Sequence, residues 1–299
     1  MNAIFKIAFM KKILPLLCFS ISLFFNVHAQ QPVMDWFKLI GGNGMNASSA
    51  MEIDGDGNLF LVGGFTDSVD FDPDPNTTRI INPEGGKDAY ILKLDPDGNL
   101  LWVKHSRGPK DIFISDICID IYGNSYITGS FMGLATLDTT TYSSSDSTDV
   151  FIQKRSSSGD IIWTRTFGGR GLDQGYSISV DDDGNVYTCG GFTDTNNINQ
   201  LPLISNGSVD MFISKHDSSG NLVWAHRIGG VGIDYATKIE VVETPLGTCL
   251  YISAEFQDNV DFFGVRSYQS EGGYDIVGFM VDASYGNLVQ TWWFRLCAR

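Results

Sequence analysis

Trp102, Trp163 and Trp224 stand 61 residues apart, and each closes the same short phrase: GNLLW at 98–102, GDIIW at 159–163 and GNLVW at 220–224. Asp88, Asp149 and Asp210 keep the same step, as do Lys93, Lys154 and Lys215, while Trp36, Trp292 and Asp275 are looser copies. A period of this length marks an array of like units, none of which buries its apolar face without its neighbours. One continuous core built from unlike elements is thereby excluded.

Within a unit the pattern has period two. In MFISKHD, Met211, Ile213 and Lys215 share one face while Phe212, Ser214 and His216 share the other; AYILKLD and VFIQKRS fall in register with it. Such alternation is that of a strand. A unit then reads as strand one (176–180), a DDDGN turn, strand two (186–192), a long loop, strand three (211–216), a DSSGN turn and strand four (222–228). Gly in the fourth turn position suits the positive φ that tight hairpins need, and Asn tolerates it too. No segment after the leader keeps a helical period. Four antiparallel strands per unit, each unit with one aromatic anchor, predict an all-β fold of β-propeller blades. The expected blades are 43–107, 108–168, 169–229 and 230–294, preceded by an extra outer strand in 30–42 and followed by a short tail, 295–299.

The recurring residues also carry a family likeness. GGRGLDQGYSISVDDDGNVYTCGGFTD followed by DMFISKHDSSGNLVWAHRIGG resembles the bacterial β-propeller repeat called SBBP, found in exported proteins, and more distantly NHL-type blades. The likeness covers about residues 35–294, because Gly-Gly-x-Gly-x-Asp, Asp-x-x-Gly-Asn and Gly-Asn-x-x-Trp recur in order. It implies the fold and an exported location; a fold carries no chemistry by itself. Blade two departs from the pattern with RGPKD and IYGN, and blade four with ETPLGT and extra residues before Trp292.

The amino terminus has the form of a secretory leader: Lys6, Lys11 and Lys12 precede the apolar run 13–27, and Val27-His28-Ala29 offers a cleavage site. That run is shorter than the roughly 20 residues of a spanning helix, so residues 1–29 are expected to be removed rather than to anchor the chain. Their loss takes the net charge from −15 to −18. So acidic a chain repels nucleic acid and anionic lipid. Cys118, Cys189, Cys249 and Cys297 follow the leader with no shared spacing, and isolated thiols are expected.

Several motifs invite a chemical reading. The turns Asp54-Gly55-Asp56-Gly57-Asn58 and Asp181-Asp182-Asp183-Gly184-Asn185 begin like a calcium loop, but the loop position that should hold a bidentate Glu holds Phe65 and Phe192. A hairpin turn explains them without an ion, so no cofactor is expected; calcium at Asp54, Asp56, Asn58, Asp181, Asp183 and Asn185 is the alternative, with Asp70, Asp72 and Asp74 a further one. GNGMNA at 42–47 fits a dinucleotide fingerprint but precedes a strand instead of opening a helix. His105, His216 and His226 fall in repeat slots filled elsewhere by Thr166 or Arg227, by Leu94 or Arg155, and by Lys104 or Arg165, and read as tolerant polar positions. The tryptophans read as packing between blades rather than as sugar platforms. No nucleophile elbow, HExxH or zinc spacing is present.

Propeller geometry puts the one-two and three-four turns on one rim. The two-three loops, 66–87, 132–148, 193–209 and 257–274, share the other rim with the crossings between blades, which carry Asn46, Asp111, Asp173 and Asp234. Long loops on a rigid scaffold are where binding resides. The expectation is an exported, non-catalytic recognition, adhesion or scaffold module that binds an unidentified protein or glycan on this rim, in the periplasm, at the cell surface or outside the cell. The alternatives are a propeller lyase or glycan hydrolase, and a purely structural repeat of a larger surface protein. Five copies of strand four against four of the other strands further predict an incomplete, open propeller whose blade edges favour self-association.

Overall fold

A computed structural model describes residues 36–245 and 247–294. The leader reading of 1–29 and the tail 295–299 lie outside the described residues, as does Cys297. The chain divides after Phe37, and the fold below belongs to the unit that begins at Lys38.

All described regular structure is β. Blade one is the antiparallel succession Asn46–Ile53, Leu59–Phe65, Asp88–Leu94 and Leu100–Arg107; blade two is Ile112–Ile119, Ser125–Leu137, Thr140–Arg155 and Ile161–Phe167. Blade three is Asp173–Val180, Val186–Phe192, Asp210–His216 and Leu222–Gly230; blade four is Asp234–Thr244, Gly247–Phe262, Arg266–Asp282 and Leu288–Phe294. No helix among the described residues is long and apolar enough to cross a membrane.

The core lies between blades, as the alternation requires. Phe60, Val62 and Ile91 of blade one pack on Ile112, Ile127 and Phe131 of blade two; Val150 and Ile152 of blade two meet Val186 and Phe212 of blade three; Met211 and Ile213 meet Ile239 and Ile252 of blade four. The phrase ending in Trp serves this stacking. The indole N–H groups of Trp102, Trp163 and Trp224 donate to the carbonyls of Ser157, Ser218 and Ala283, each in the three-four turn of the following blade, at 3.2, 3.0 and 3.3 Å. The glycine of that turn has positive φ, +79° at Gly220, and a Cβ there would stand 2.8 Å from the Trp163 ring. Glycine thus closes the hairpin and seats the preceding blade's indole.

The acidic turns close themselves. Asp181 Oδ1 accepts the N–H groups of Asp183 and Asn185, and its Oδ2 accepts the Asn185 amide at 2.9 Å and the Tyr187 hydroxyl at 2.8 Å. Such side-chain acceptors mimic a backbone turn.

The two-three segments differ from the expected loops. In blades two and four they are the continuing ends of long hairpins, 125–155 and 247–282, and in blade three they form the small hairpin Thr195–Ile198 with Leu201–Ile204. These extensions reach back to the outer strand of the preceding blade: Gly41–Gly42 pairs Val69–Asp70, Ser106–Arg107 pairs Thr136–Leu137, Gly168 bridges Asn197, and Gly229–Gly230 pairs Val260–Asp261. Of the expected N-terminal outer strand, 30–35 lie outside the described residues; in the described part Gly41–Gly42 is strand and 36–40 is irregular.

Among the described residues no strand pairing joins blade four to blade one, and Leu288–Phe294 completes blade four from its own chain. Nor does any strand of blade four pack broadly on one of blade one, so the four described blades form an open arc. The inner strand of blade one, Asn46–Ile53, is exposed almost throughout, whereas that of blade three, covered by neighbours on both sides, is largely buried.

Candidate binding rim and its buried carboxylates

On the long-hairpin rim, strand three of every blade carries a buried aspartate, at its start in blades one and three and within the longer strand in blades two and four. Asp88, Asp149, Asp210 and Asp275 each accept the backbone N–H of the residue four places earlier, at 2.9, 3.4, 3.0 and 3.3 Å. The crossing residues come to the same rim. Asp173 and Asp234 are wholly buried, and their Oδ2 atoms accept the N–H groups of Gly169 and Gly230, both at 2.8 Å. Asn46 works in the opposite sense, its amide donating to the Gly42 carbonyl, and the exposed Asp111 accepts the Lys87 N–H at 2.8 Å. All four pin backbone, and Asn46 and Asp111 also face solvent.

Burial dominates the electrostatics here. It pushes the Asp173 and Asp234 carboxyls up to about 7, with the neighbouring charges of Asp149 and Asp210 adding to the effect. Asp149 is raised by the same desolvation. A charge taken out of water costs several kcal/mol unless it is paired. Two blades pair it: His105 Nε2 lies 2.7 Å from Asp88, and Arg227 donates to Asp210 at 2.7 Å. At the matching register position blade two has Thr166, which is neutral.

An open groove of about 540 Å³ overlies the junction of blades two and three, lined by Ser145, Asp146, Gly169, Arg170, Asp194 and Asn197 among others. Except for Gly169, these six are exposed. A second cleft, about 440 Å³, sits on the short-turn rim beside Asp120, Tyr122, Lys154, Asp181 and Asp183. Sequence reasoning missed that cleft, because adjacent turns of two blades form it and neither turn is unusual alone.

The turn residues considered for calcium make the hydrogen bonds of their own turns. Asp54 Oδ1 accepts the N–H groups of Asp56 and Asn58, and its Oδ2 takes the Asn58 amide and Lys93 Nζ at 3.0 Å. Asp181, Asp183 and Asn185 form the self-closing turn already described. Asp70, Asp72 and Asp74 accept nearby backbone N–H groups in succession. Among the described residues no three His, Cys, Asp or Glu side chains gather to hold an ion.

The histidines, read as tolerant positions, each make a contact of their own. His105 pairs with Asp88, His226 contacts the Tyr285 carbonyl at 2.9 Å, and buried His216 stacks on Phe167, its pKa pushed down to about 4 by desolvation. One slot therefore accepts several residues because each blade solves its own contact differently. Cys118, Cys189 and Cys249 are free thiols.

Fold and rim together define a β-propeller repeat protein. The family model described as Beta-propeller repeat, SBBP, matches residues 162–197, which run from strand four of blade two through the Gly-Gly crossing into blade three. A protein of Acanthamoeba polyphaga mimivirus described as "Uncharacterized WD repeat-containing protein L264" is 23% identical over 232 residues, 66% of this chain. The match spans 17% of that protein's length. Among solved structures, the tail fiber of Staphylococcus aureus phage P68 aligns with 80% of this chain and 50% of its own, at 11% identity and a TM-score of 0.25.

Proposed function

We propose that this chain is an exported recognition or scaffold module that binds a protein or glycan through its long-hairpin rim. The observation that carries the reading is the groove between blades two and three, where Arg170, Asp146 and Asp194 are exposed. They stand on a scaffold whose buried carboxylates fix the surrounding backbone, so they are presented rigidly at little ordering cost. Export rests on the leader-like residues 1–29. A binding role agrees with a rim whose buried acids are engaged in holding loops.

The test is a glycan and protein array probed with the chain lacking residues 1–29, followed by variants assayed on whatever is captured. Arg170→Ala and Asp194→Ala are expected to weaken binding about tenfold or more, the scale of one lost charged contact. Asp183→Ala, on the opposite rim, should leave it unchanged. Equal losses from both rims would refute the assignment. Asp173 and Asp234 are poor probes of contact, since replacing them tests the crossings.

A further inference from the structure

The junction of blades two and three breaks the repeat in its treatment of charge. Asp149 and Asp173 flank the Gly168–Gly169 crossing: a Cβ on Gly168 would stand 2.5 Å from Asp149 Oδ1, and Gly169 N–H is held by Asp173 Oδ2. Asp149 is 7% exposed and Asp173 not at all, and Asp173 Oδ1 has no hydrogen-bond partner. The hairpin strand Thr195–Ile198 lies over the same crossing through the Gly168–Asn197 bridge. From it Asn196, also fully buried, faces Asp173 closely enough to favour the charged carboxylate. Neither atom of its amide has a partner at full hydrogen-bond geometry.

Buried polar atoms without partners are rare, and each costs on the order of 1–3 kcal/mol. Here they come from two elements, strand one of blade three and the Thr195–Ile198 hairpin strand, beside a second carboxylate, Asp149, on a blade whose counter-position is Thr166 where blades one and three have His105 and Arg227. The geometry points to a divalent cation, calcium by donor type, held by Asp149, Asp173 and the Asn196 carbonyl oxygen. One proton neutralises a single carboxylate, whereas a divalent cation neutralises both and takes the amide oxygen as a third ligand. Calcium takes carboxylate and amide oxygens in irregular arrangements and completes its shell with water. The groove that carries Asp194 and Asn197 lies over the same crossing, at Gly169. The site is separate from the acidic turns of the opposite rim.

Calcium chloride titrated calorimetrically into chelator-treated protein is expected to show one site per chain and to raise the melting temperature, as a ligand of the native state must. Asp149→Asn, a change of charge with little change of shape, should weaken binding at least tenfold. Thr166→Arg, which installs the cation that blade three already uses, should abolish the calcium response while melting without calcium no lower than the wild type. Asp181→Asn should bind like the wild type. No heat and no shift in the wild type would overturn the site. So would a response that survives Thr166→Arg, or one that Asp181→Asn removes. Should Asp149→Asn not fold, Thr166→Arg carries the decision alone.

Discussion

Replacing Trp163 by alanine is expected to destabilise the protein by about 3–5 kcal/mol, the range for removing a buried aromatic from a packed core. Trp163 is 7% exposed, packs in the cluster shared by blades two and three, carries Arg165 over its ring at 5.6 Å and donates to Ser218. Trp163→Phe should cost less, since it keeps much of the ring and loses the N–H bond, which is worth about 1 kcal/mol. Gly220→Ala attacks the same contact from the other side. It forces a side chain into φ +79° and a Cβ against the indole, and the left-handed conformation alone costs about 1–2 kcal/mol. Because the two residues touch, the double variant Trp163→Ala with Gly220→Ala should lose less than the sum of the single losses. Trp292, stacked on Tyr251 at 5.7 Å on the open flank of blade four, should tolerate alanine better. Urea unfolding of the set checks these values. Equal losses at Trp163 and Trp292 would deny that stacking between blades, rather than the tryptophan itself, holds the array together.

Both halves of that contact were legible in the sequence because each is local in its unit and repeated: the turn glycine and the tryptophan four residues later recur at a fixed step, although the contact itself joins one blade's indole to the turn of the next. The Asp-x-x-Gly-Asn turns were legible for the same reason, since one aspartate supplies every acceptor its turn needs. The reach of the two-three hairpins was not. In LATLDTTTYSSSDSTDV polar residues occupy both faces, so alternation fades, and what keeps residues 134–143 extended is pairing with each other and with Ser106 and Arg107 of the blade before. The candidate site was legible only in part. Asp173 and Asp234 could be placed at crossings, and the Asp88, Asp149 and Asp210 series could be counted. Their convergence could not be seen, because strand three of one blade and strand one of the next are joined by a crossing whose shape the residues do not state. Asn196 sits in a stretch with no counterpart in the other units, and so gave no repeat signal.

The stability difference between Asp234→Asn and the wild type is expected to change with pH, in favour of the variant as pH rises from about 4 to about 7. Asp234 is fully buried; its Oδ2 accepts the Gly230 N–H and its Oδ1 has no partner. Desolvation and the Asp210 charge hold its carboxyl near 7, against the opposing pull of Arg227 and the Gln257 backbone. In the unfolded chain the same group titrates near 3.8. Between these values the folded protein binds a proton that the unfolded chain has released, so stability falls as pH rises. The contribution is complete below the unfolded value and gone above the folded one. Its ceiling is on the order of 4 kcal/mol, at about 1.36 kcal/mol for each tenfold change in proton affinity. His216 works the other way, because its folded pKa of about 4 lies below the ordinary 6.5 of an unfolded histidine, so stability gains from it as pH rises across that interval. A wild-type profile alone would mix the two. Asn keeps an oxygen for Gly230 and cannot ionise, so subtracting the variant's profile isolates Asp234. Urea midpoints of both proteins in chelator at pH 4, 5, 6, 7 and 8 make the measurement. Parallel profiles would mean that the carboxyl is ionised throughout in the fold, and that water or Arg227 reaches it far better than its burial implies.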